Sequence, residues 1–154
     1  IRDRYPSISY EDVLIDTTAM HLVSNPESFD VVVTTNQFGD ILSDIGAGLI
    51  GSIGMVPGLC LGDNVAMAQA THGSAPDIAG KNIANPYAMI MSTSMLLSWM
   101  GSKYSEEKLI MASNIIEEST LEVIKEKKYL TADIGGKSST TDMTNAIIEK
   151  VKTR

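Results

Sequence analysis

A glycine-rich stretch without any charge, residues 45–62, limits what this chain can fold into. Its 18 residues reach the lower limit for a helix that crosses a membrane. It also holds six glycines and Pro57, which oppose a continuous helix. The stretch therefore predicts buried packing of small residues and irregular backbone, and we expect no membrane partner.

The charge balance argues against a second class of function. The 154 residues carry a formal net charge of −7 and a pI near 4.7, which disfavour general nucleic-acid binding. Residues 1–44 hold two arginines and eight acids, and such a cluster could bind a cation or be a solvated face. The single cysteine, Cys60, predicts no internal disulfide, a small buried side chain and a reducing compartment, with the cytoplasm expected.

Apolar periodicity and capping residues predict five helices. They are expected over residues 11–24, 39–50, 86–100, 105–125 and 140–152. Asn85-Pro86 should start the third helix and Gly101 should end it, while Thr140 or Thr141 should cap the last. Residues 29–35 predict a strand buried on both faces, and residues 65–70 predict a short second strand. This alternation indicates the α/β class, with residues 51–62 and 71–85 irregular.

The segment Gly46-Ala47-Gly48-Leu49-Ile50-Gly51 matches the dinucleotide fingerprint G-x-G-x-x-G letter for letter. That fingerprint needs its glycine turn directly after a strand, and an acid about 20 residues further on. Here about ten helix-like residues follow the predicted strand, and the acid is missing. We therefore interpret these glycines as sites of close helix packing.

Asp40 and Asp44 share one face of the predicted helix 39–50, because they lie four residues apart. Two like charges at this spacing cost about a few tenths of a kcal/mol unless a cation compensates them. Hard carboxylates with waters and a substrate oxygen suit Mg²⁺ or Mn²⁺. The alternative is the helix dipole, which favours acids in the first turns and explains Asp40 better than Asp44.

A third candidate site is the loop His72-Gly73-Ser74-Ala75-Pro76-Asp77, just before the predicted helix 86–100. Exposed backbone N–H groups and a hydroxyl suit a phosphate, and an aspartate can accept hydrogen bonds from ribose hydroxyls. The alternative, an Asx turn with a surface histidine, explains the residues equally well.

Three motifs together resemble the decarboxylating dehydrogenases of the isocitrate and 3-isopropylmalate dehydrogenase family. They read NQFGDILSD at 36–44, HGSAPDIAGK at 72–81 and IANP at 83–86, and the resemblance continues to Asp133-Ile134-Gly135-Gly136 and the last helix. It implies an isocitrate/isopropylmalate dehydrogenase-like α/β fold, present here in part. Residues 1–51 would belong to the smaller, dimerising domain and residues 52–154 to the larger, cofactor-binding domain.

The resemblance implies a role for each candidate residue. Asp40 and Asp44 would bind Mg²⁺ or Mn²⁺, which would polarise the substrate's 2-hydroxyl. Asp16 of the neighbouring protomer would reach the same metal site, and it is the one catalytic residue implied within this chain. The residues implied to bind the cofactor are His72, Gly73, Ser74, Ala75, Pro76, Asp77, Ile78 and Asn85. Asp77 would hold the adenosine ribose and repel a 2′-phosphate, so NAD is favoured over NADP.

The implied reaction is oxidative decarboxylation of a small 2-hydroxy acid bearing a 3-carboxylate. Isocitrate is the first choice and 3-isopropylmalate the second, with homoisocitrate and tartrate open. A homodimer or higher homo-oligomer is implied. The family's substrate-binding arginines, catalytic tyrosine and catalytic lysine have no counterpart here, so these 154 residues alone are expected to be inactive.

Two other functions stay open. A non-catalytic, nucleotide-binding regulatory subunit would share the fold, although loss of metal ligands would be expected there, and Asp16, Asp40 and Asp44 are all present. A structural dimerisation module would not need the loop 72–77. Gln69 departs from the glutamate that the family usually has near the nicotinamide, which concerns how the cofactor is positioned.

Overall fold

The computed structural model describes residues 2–154 of the chain. They divide into two compact units, one ending at Leu49 and the other running from Ile50 to Arg154. The α/β class is confirmed, with helices far outnumbering strands. The elements are α1 (Ile15–Ser24), α2 (Asn36–Ile50), β1 (Pro57–Leu61), β2 (Ala66–Ala70), α3 (Tyr87–Tyr104), α4 (Glu107–Glu126) and α5 (Thr140–Lys152). Within this part of the chain, no helix is both long and apolar enough to cross a membrane.

In the first unit, the predicted strand 29–35 does not form. Val31 and Val33 are 79% and 91% exposed in irregular backbone. A strand buried on both faces needs hydrogen-bonded neighbours, and no segment of residues 2–154 pairs with this one. Helix α1 begins at Ile15 instead of residue 11, whereas α2 begins three residues earlier than predicted.

The glycines in and after α2 do not make the close helix packing that the sequence predicted. Gly46 and Gly48 lie inside the helix, so no glycine turn opens a dinucleotide site at this place. A Cβ built on Gly46, Gly48 or Gly51 would meet no atom within 4 Å. The close helix packing predicted at these three positions is therefore absent in the part of the chain that the structure describes.

The second unit begins with an antiparallel hairpin that sequence reasoning missed in part. Strand β2 matches the prediction, but β1 occupies residues that we expected to be irregular. Pro57 pairs with Ala70 and Leu61 with Ala66. Gly58 lies opposite Gln69, and a Cβ on Gly58 would come 2.6 Å from the Gln69 carbonyl oxygen. The glycine that argued against a strand is thus the residue that permits this strand to pack.

Helix α3 lies between the hairpin and α4, and buried serines fix it on both sides. Toward the hairpin, Ser92 Oγ accepts from Gly58 N at 3.0 Å and donates to Ala88 O at 2.6 Å. Toward α4, Ser94 and Ser113 each donate to the other's backbone carbonyl, at 2.9 and 2.8 Å. These bonds satisfy buried hydroxyls that would otherwise be costly to desolvate.

The close approach of α3 and α4 corrects the predicted helix end. Gly101 does not cap α3 but lies buried inside it, where a Cβ would come 2.6 Å from Ile110 Cγ1. The cap is Ser105, in the left-handed conformation. The cap of α5 also precedes its predicted position, because Ser139 is the N-cap in a capping box with Asp142. The buried core between α4 and α5 is formed by Val123, Met143 and Ile147.

Ser119 on α4 gives a prediction about stability. Its side chain is fully buried, and its hydroxyl has no hydrogen-bond partner among the described residues. Ser119→Ala removes this unsatisfied group, so we expect the free energy of unfolding to stay level or rise by about 1 kcal/mol. Urea denaturation of the full-length protein measures the change. Ser113→Ala is the matched control: it removes a bonded hydroxyl from the same helix and should lower stability by about 1 kcal/mol. Equal effects of the two substitutions would contradict the argument.

Candidate functional site

Two of the predicted metal ligands lie on one face of α2. Asp40 and Asp44 are both exposed and sit one helical turn apart. Neither carboxylate has a hydrogen-bond or ion-pair partner within residues 2–154, and Ser43 bonds only the backbone carbonyl of Asp40. Two uncompensated carboxylates with free oxygens have the donor chemistry that Mg²⁺ and Mn²⁺ prefer. The structure thus leaves this pair available to a cation.

The third predicted ligand stands apart from that pair. Asp16 is exposed in the first turn of α1, where its carboxylate accepts from the backbone N–H of Thr17 at 2.7 Å. Among the described residues, no three His, Cys, Asp or Glu side chains form a group that could hold a metal ion. Asp16 therefore does not join Asp40 and Asp44 within one chain, and its role in a neighbouring protomer's site stays a prediction.

The predicted cofactor loop is an exposed rim. Residues 72–77 are all exposed, and Asp77 lies in a short 3₁₀ turn, Pro76–Ile78. Ala75 adopts a left-handed conformation with φ of 42°, which reverses the chain before that turn. His72 Nδ1 lies 2.9 Å from the Gly73 carbonyl oxygen, the distance of an N–H···O bond. The carboxylate of Asp77 is open to a ligand.

Asn85, predicted to lie near the adenine, has its side chain turned into the protein. Only 9% of the residue is exposed. Its Nδ2 donates to Asp133 Oδ2 at 3.0 Å and to Met55 Sδ at 3.4 Å, and its Oδ1 accepts from Tyr87 N at 2.9 Å. The amide oxygen therefore accepts from the first N–H of α3, but the N-cap is Pro86 and not Asn85, which the sequence predicted. The amide group is therefore engaged within the protein and not presented to a ligand.

The loop before Asn85 is fixed to the start of α5. Asn82 has a left-handed φ of 57°, and its carbonyl oxygen accepts from Thr140 N at 2.9 Å. Its side-chain oxygen accepts from Thr141 N at 3.2 Å. Thr140 Oγ1 in turn donates to the carbonyl of Ala84. Asn82, next to the I-A-N-P motif, and Ala84 within it are thus bonded to residues 56 to 59 positions later in the chain.

Asp133 is the site residue that sequence reasoning did not single out. Its carboxylate accepts from Ser52 Oγ, from Thr131 Oγ1 at 2.6 Å and from Asn85 Nδ2 at 3.0 Å. Ser52 and Asn85 lie 81 and 48 residues away, so no local spacing reveals the cluster. The only signal was that Asp133 belongs to the stretch resembling the family.

The hydrogen bonds also set the ionisation of Asp133. Partial burial alone would raise its pKa, but the bonds from Ser52, Thr131 and Asn85 outweigh burial and hold the pKa below the usual value. The ionised form therefore stabilises the folded unit. That contribution is complete above the ordinary carboxyl pKa and is lost as the pH falls through the lowered one.

Two further residues that the sequence analysis considered, Cys60 and Gln69, lie on the hairpin. Cys60 was expected to be buried, but it is exposed on β1, as is its cross-strand partner Met67. Gln69 is exposed on β2, and its backbone carbonyl accepts from Ser92 Oγ at 3.2 Å.

Comparison with known proteins yields one family. A family profile described as isocitrate/isopropylmalate dehydrogenase matches residues 1–147. The chain is 47% identical over 97% of its length to a protein of Arabidopsis thaliana named NAD isocitrate dehydrogenase catalytic subunit 5, mitochondrial, of which it covers 38%. It is 43% identical over 98% of its length to a regulatory subunit of the mitochondrial NAD isocitrate dehydrogenase of Dictyostelium discoideum, covering 41%.

A solved structure agrees with these sequence matches. The crystal structure of isocitrate dehydrogenase from Methylococcus capsulatus superposes with a TM-score of 0.89 at 44% identity. The match covers 99% of this chain and 43% of that one. The chain therefore spans about two-fifths of the length of the proteins that it matches.

Proposed function

The chain belongs to the isocitrate/isopropylmalate dehydrogenase family, and on that premise we propose that the protein oxidatively decarboxylates a 2-hydroxy acid bearing a 3-carboxylate. NAD would accept the hydride from the carbon bearing the hydroxyl, and CO₂ would leave from the 3-carboxylate. Isocitrate is the first choice of substrate and 3-isopropylmalate the second. The observation that carries the proposal is the pair of exposed carboxylates on α2, which have no partner among the described residues and lie within the family motif.

Asp40 and Asp44 fit a divalent metal by their donor chemistry. A bound Mg²⁺ or Mn²⁺ supplies Lewis-acid polarisation of the hydroxyl under oxidation and charge stabilisation after CO₂ departs. The two aspartates hold the cation on a helix, which is a more rigid support than a loop. Asp16, supplied by a second copy of the chain, is the proposed third carboxylate.

The rim 72–77 is the proposed binding site for the adenosine part of NAD. Its open backbone and the hydroxyl of Ser74 suit the diphosphate, and the free carboxylate of Asp77 suits two ribose hydroxyls. Asn85 would contribute its backbone, since its amide is engaged with Asp133. Ile78 is half-buried beside the rim and would offer an apolar contact to the adenine.

Domain roles and assembly follow the same premise. We propose that the unit ending at Leu49 corresponds to the dimerising domain predicted for residues 1–51. The unit from Ile50 to Arg154 would then carry the cofactor, as predicted for residues 52–154. The full-length protein is proposed to be a homodimer or higher homo-oligomer. The cytoplasm remains our predicted location, although both relatives named above are mitochondrial.

A regulatory subunit is the second candidate, and one observation favours it. Identity to the Dictyostelium regulatory subunit is 43%, nearly the 47% found with the Arabidopsis catalytic subunit. The catalytic alternative is preferred because Asp16, Asp40 and Asp44 are all present and exposed. A regulatory subunit that binds nucleotide without a metal site has no use for three such carboxylates.

The cofactor assignment predicts a preference set by Asp77. In the full-length protein, kcat/KM should be higher with NAD than with NADP, because the Asp77 carboxylate repels a 2′-phosphate. Asp77→Asn removes the charge and should reduce this preference about 10-fold or more. Asp63→Asn, which neutralises another exposed acid of the same unit, should leave the ratio unchanged. Equal kcat/KM values for the two cofactors in the parent protein would refute the assignment.

A further inference from the structure

We propose that Asp133 is a positioning residue for the cofactor: it holds Asn85, and through Asn85 the end of the loop that receives the adenosine. This inference rests on the proposed function, because it names the group that prepares the proposed NAD site. Asp133 would touch no part of NAD itself. Its effect would be to fix where the backbone of residue 85 stands.

The first support is the set of segments that Asp133 ties together. Ser52 precedes the 3₁₀ turn Ile53–Met55, Asn85 stands at the start of α3, and Thr131 belongs to the connection between α4 and α5. Both carboxylate oxygens are used, Oδ1 by Thr131 and Oδ2 by Ser52 and Asn85. One charged group thus joins three stretches of chain, and charge-assisted bonds are stronger than neutral ones.

The second support is that both polar atoms of the Asn85 side chain, Oδ1 and Nδ2, form hydrogen bonds within the protein. The Oδ1 atom accepts from Tyr87 N, the first residue of α3, which fixes which way the amide is turned. The Nδ2 atom must then face Asp133 and the weak acceptor Met55 Sδ. Without the Asp133 carboxylate, Nδ2 would keep only the weak acceptor Met55 Sδ among the described residues. A buried amide with an unpaired N–H is costly, so the side chain and its backbone would shift.

The third support is the contrast between the two halves of the loop. The part before α3 is anchored by Asn82 and Ala84 on α5 and by Asn85 on Asp133. The rim 72–77 is exposed, and its one side-chain hydrogen bond runs between neighbours, His72 and Gly73. A hydrogen-bonded segment at residues 82–85 next to an exposed rim is the arrangement expected of a preorganised binding loop. Of the described groups that bond Asn82, Ala84 and Asn85, the Asp133 carboxylate is the one that is ionised.

The packing around Gly54 offers a way to move Asn85 without removing a polar group. Gly54 is buried, and a Cβ there would come 2.9 Å from Asn85 Cβ and 3.2 Å from Asp133 Oδ2. Real Cβ atoms do not approach so closely, and Asn85 Cβ sits next to the backbone. Gly54→Ala must therefore displace Asn85, Asp133 or both.

The experiment measures NAD binding and kinetics in the full-length protein. We expect Asp133→Ala and Gly54→Ala each to raise the Kd and KM for NAD about 10-fold, by analogy with other groups that orient a binding residue. The kcat at saturating NAD and the Kd for Mn²⁺ should stay near the parent values. Asp133→Asn keeps one acceptor oxygen for Asn85 and should recover most of the NAD affinity.

Ser113→Ala is the control for lost stability. It breaks a buried bond between α3 and α4 and should lower the thermal midpoint without changing the Kd for NAD. If Asp133→Ala lowers the midpoint but leaves the Kd for NAD unchanged, Asp133 is only structural and the inference is overturned. If kcat and Mn²⁺ binding fall together with NAD affinity, the positioning role is likewise overturned. If the parent protein binds no NAD at all, the proposed function fails, and this inference fails with it.

Discussion

Asp44→Asn in the full-length protein should weaken Mn²⁺ binding about 10-fold or more, and the double variant Asp40→Asn/Asp44→Asn should abolish it. The reason is the geometry of α2, which presents two exposed carboxylates one turn apart with no protein partner in the described part of the chain. Each amide replaces a charged oxygen donor by a neutral one, to which a hard dication binds more weakly. Titration with Mn²⁺, followed by electron paramagnetic resonance or calorimetry, measures the Kd directly.

Loss of binding in this test can be separated from loss of fold. Without metal, Asp40 and Asp44 repel each other, so Asp44→Asn should leave the thermal midpoint level or slightly raised. With the same metal concentration added, the parent protein should gain more stability than Asp44→Asn, because a ligand stabilises the state that binds it. Asp30→Asn, at another exposed acid of the same unit, should behave like the parent in both respects. Unchanged Mn²⁺ titration of both single variants, Asp40→Asn and Asp44→Asn, would exclude a metal site here.

The presence and approximate extent of the five helices were the part of the fold that the sequence could predict, because helix signals are local. Asn85-Pro86 placed the start of α3 to within a residue, and Asn85 does accept from Tyr87 N. Start signals at Ser105-Glu106-Glu107 and at Thr140 or Thr141 likewise predicted α4 and α5, which begin at Glu107 and Thr140. Caps and periodicity involve residues within one or two turns of each other, so residues close in sequence are enough to predict a helix.

The errors share a physical cause, which is contact between residues distant in sequence. Gly101 is of the residue type that commonly ends a helix, but its role here is to let Ile110 of α4 approach α3. Gly58 discourages a strand locally, yet it is needed where β1 passes Gln69. Residues 29–35 have a strand's composition without strand neighbours among residues 2–154. In each case, the packing partner decides the outcome, and no local pattern names the partner.

The candidate site divides in the same way. The spacing of Asp40 and Asp44 follows from helical geometry, and the structure keeps both on one exposed face. The rim 72–77 was predicted as a loop and is one. Asp133 was missed because its partners Ser52 and Asn85 come from other segments of the second unit. The family resemblance drew attention to these stretches, but the hydrogen bond between Asp133 and Asn85 is visible only in the folded structure.

Mixing two inactive variants of the full-length protein should restore activity if the metal site is shared between protomers. One variant is Asp16→Asn and the other is Asp40→Asn/Asp44→Asn; each alone should lose at least about 100-fold in kcat, since metal polarisation is worth several kcal/mol. In a mixed dimer, one site combines Asp40 and Asp44 of the first chain with Asp16 of the second and is intact. The other site carries every substitution. After random exchange, half of the dimers are mixed and one site in each works, so about a quarter of the parent activity should return.

A second mixture makes the test decisive, because it reverses the expectation. A chain carrying all three substitutions is exchanged with the parent chain, and mixed dimers are purified by a tag on each partner. With a shared site, both sites of this dimer are damaged: one lacks Asp16 and the other lacks Asp40 and Asp44. If Asp16 instead acts within its own chain, the parent chain keeps one working site, while the mixture of the two partial variants stays inactive. The separation of Asp16 from the α2 pair within one chain favours the shared site. Activity in the parent–triple dimer, together with an inactive mixture of the partial variants, would overturn that proposal.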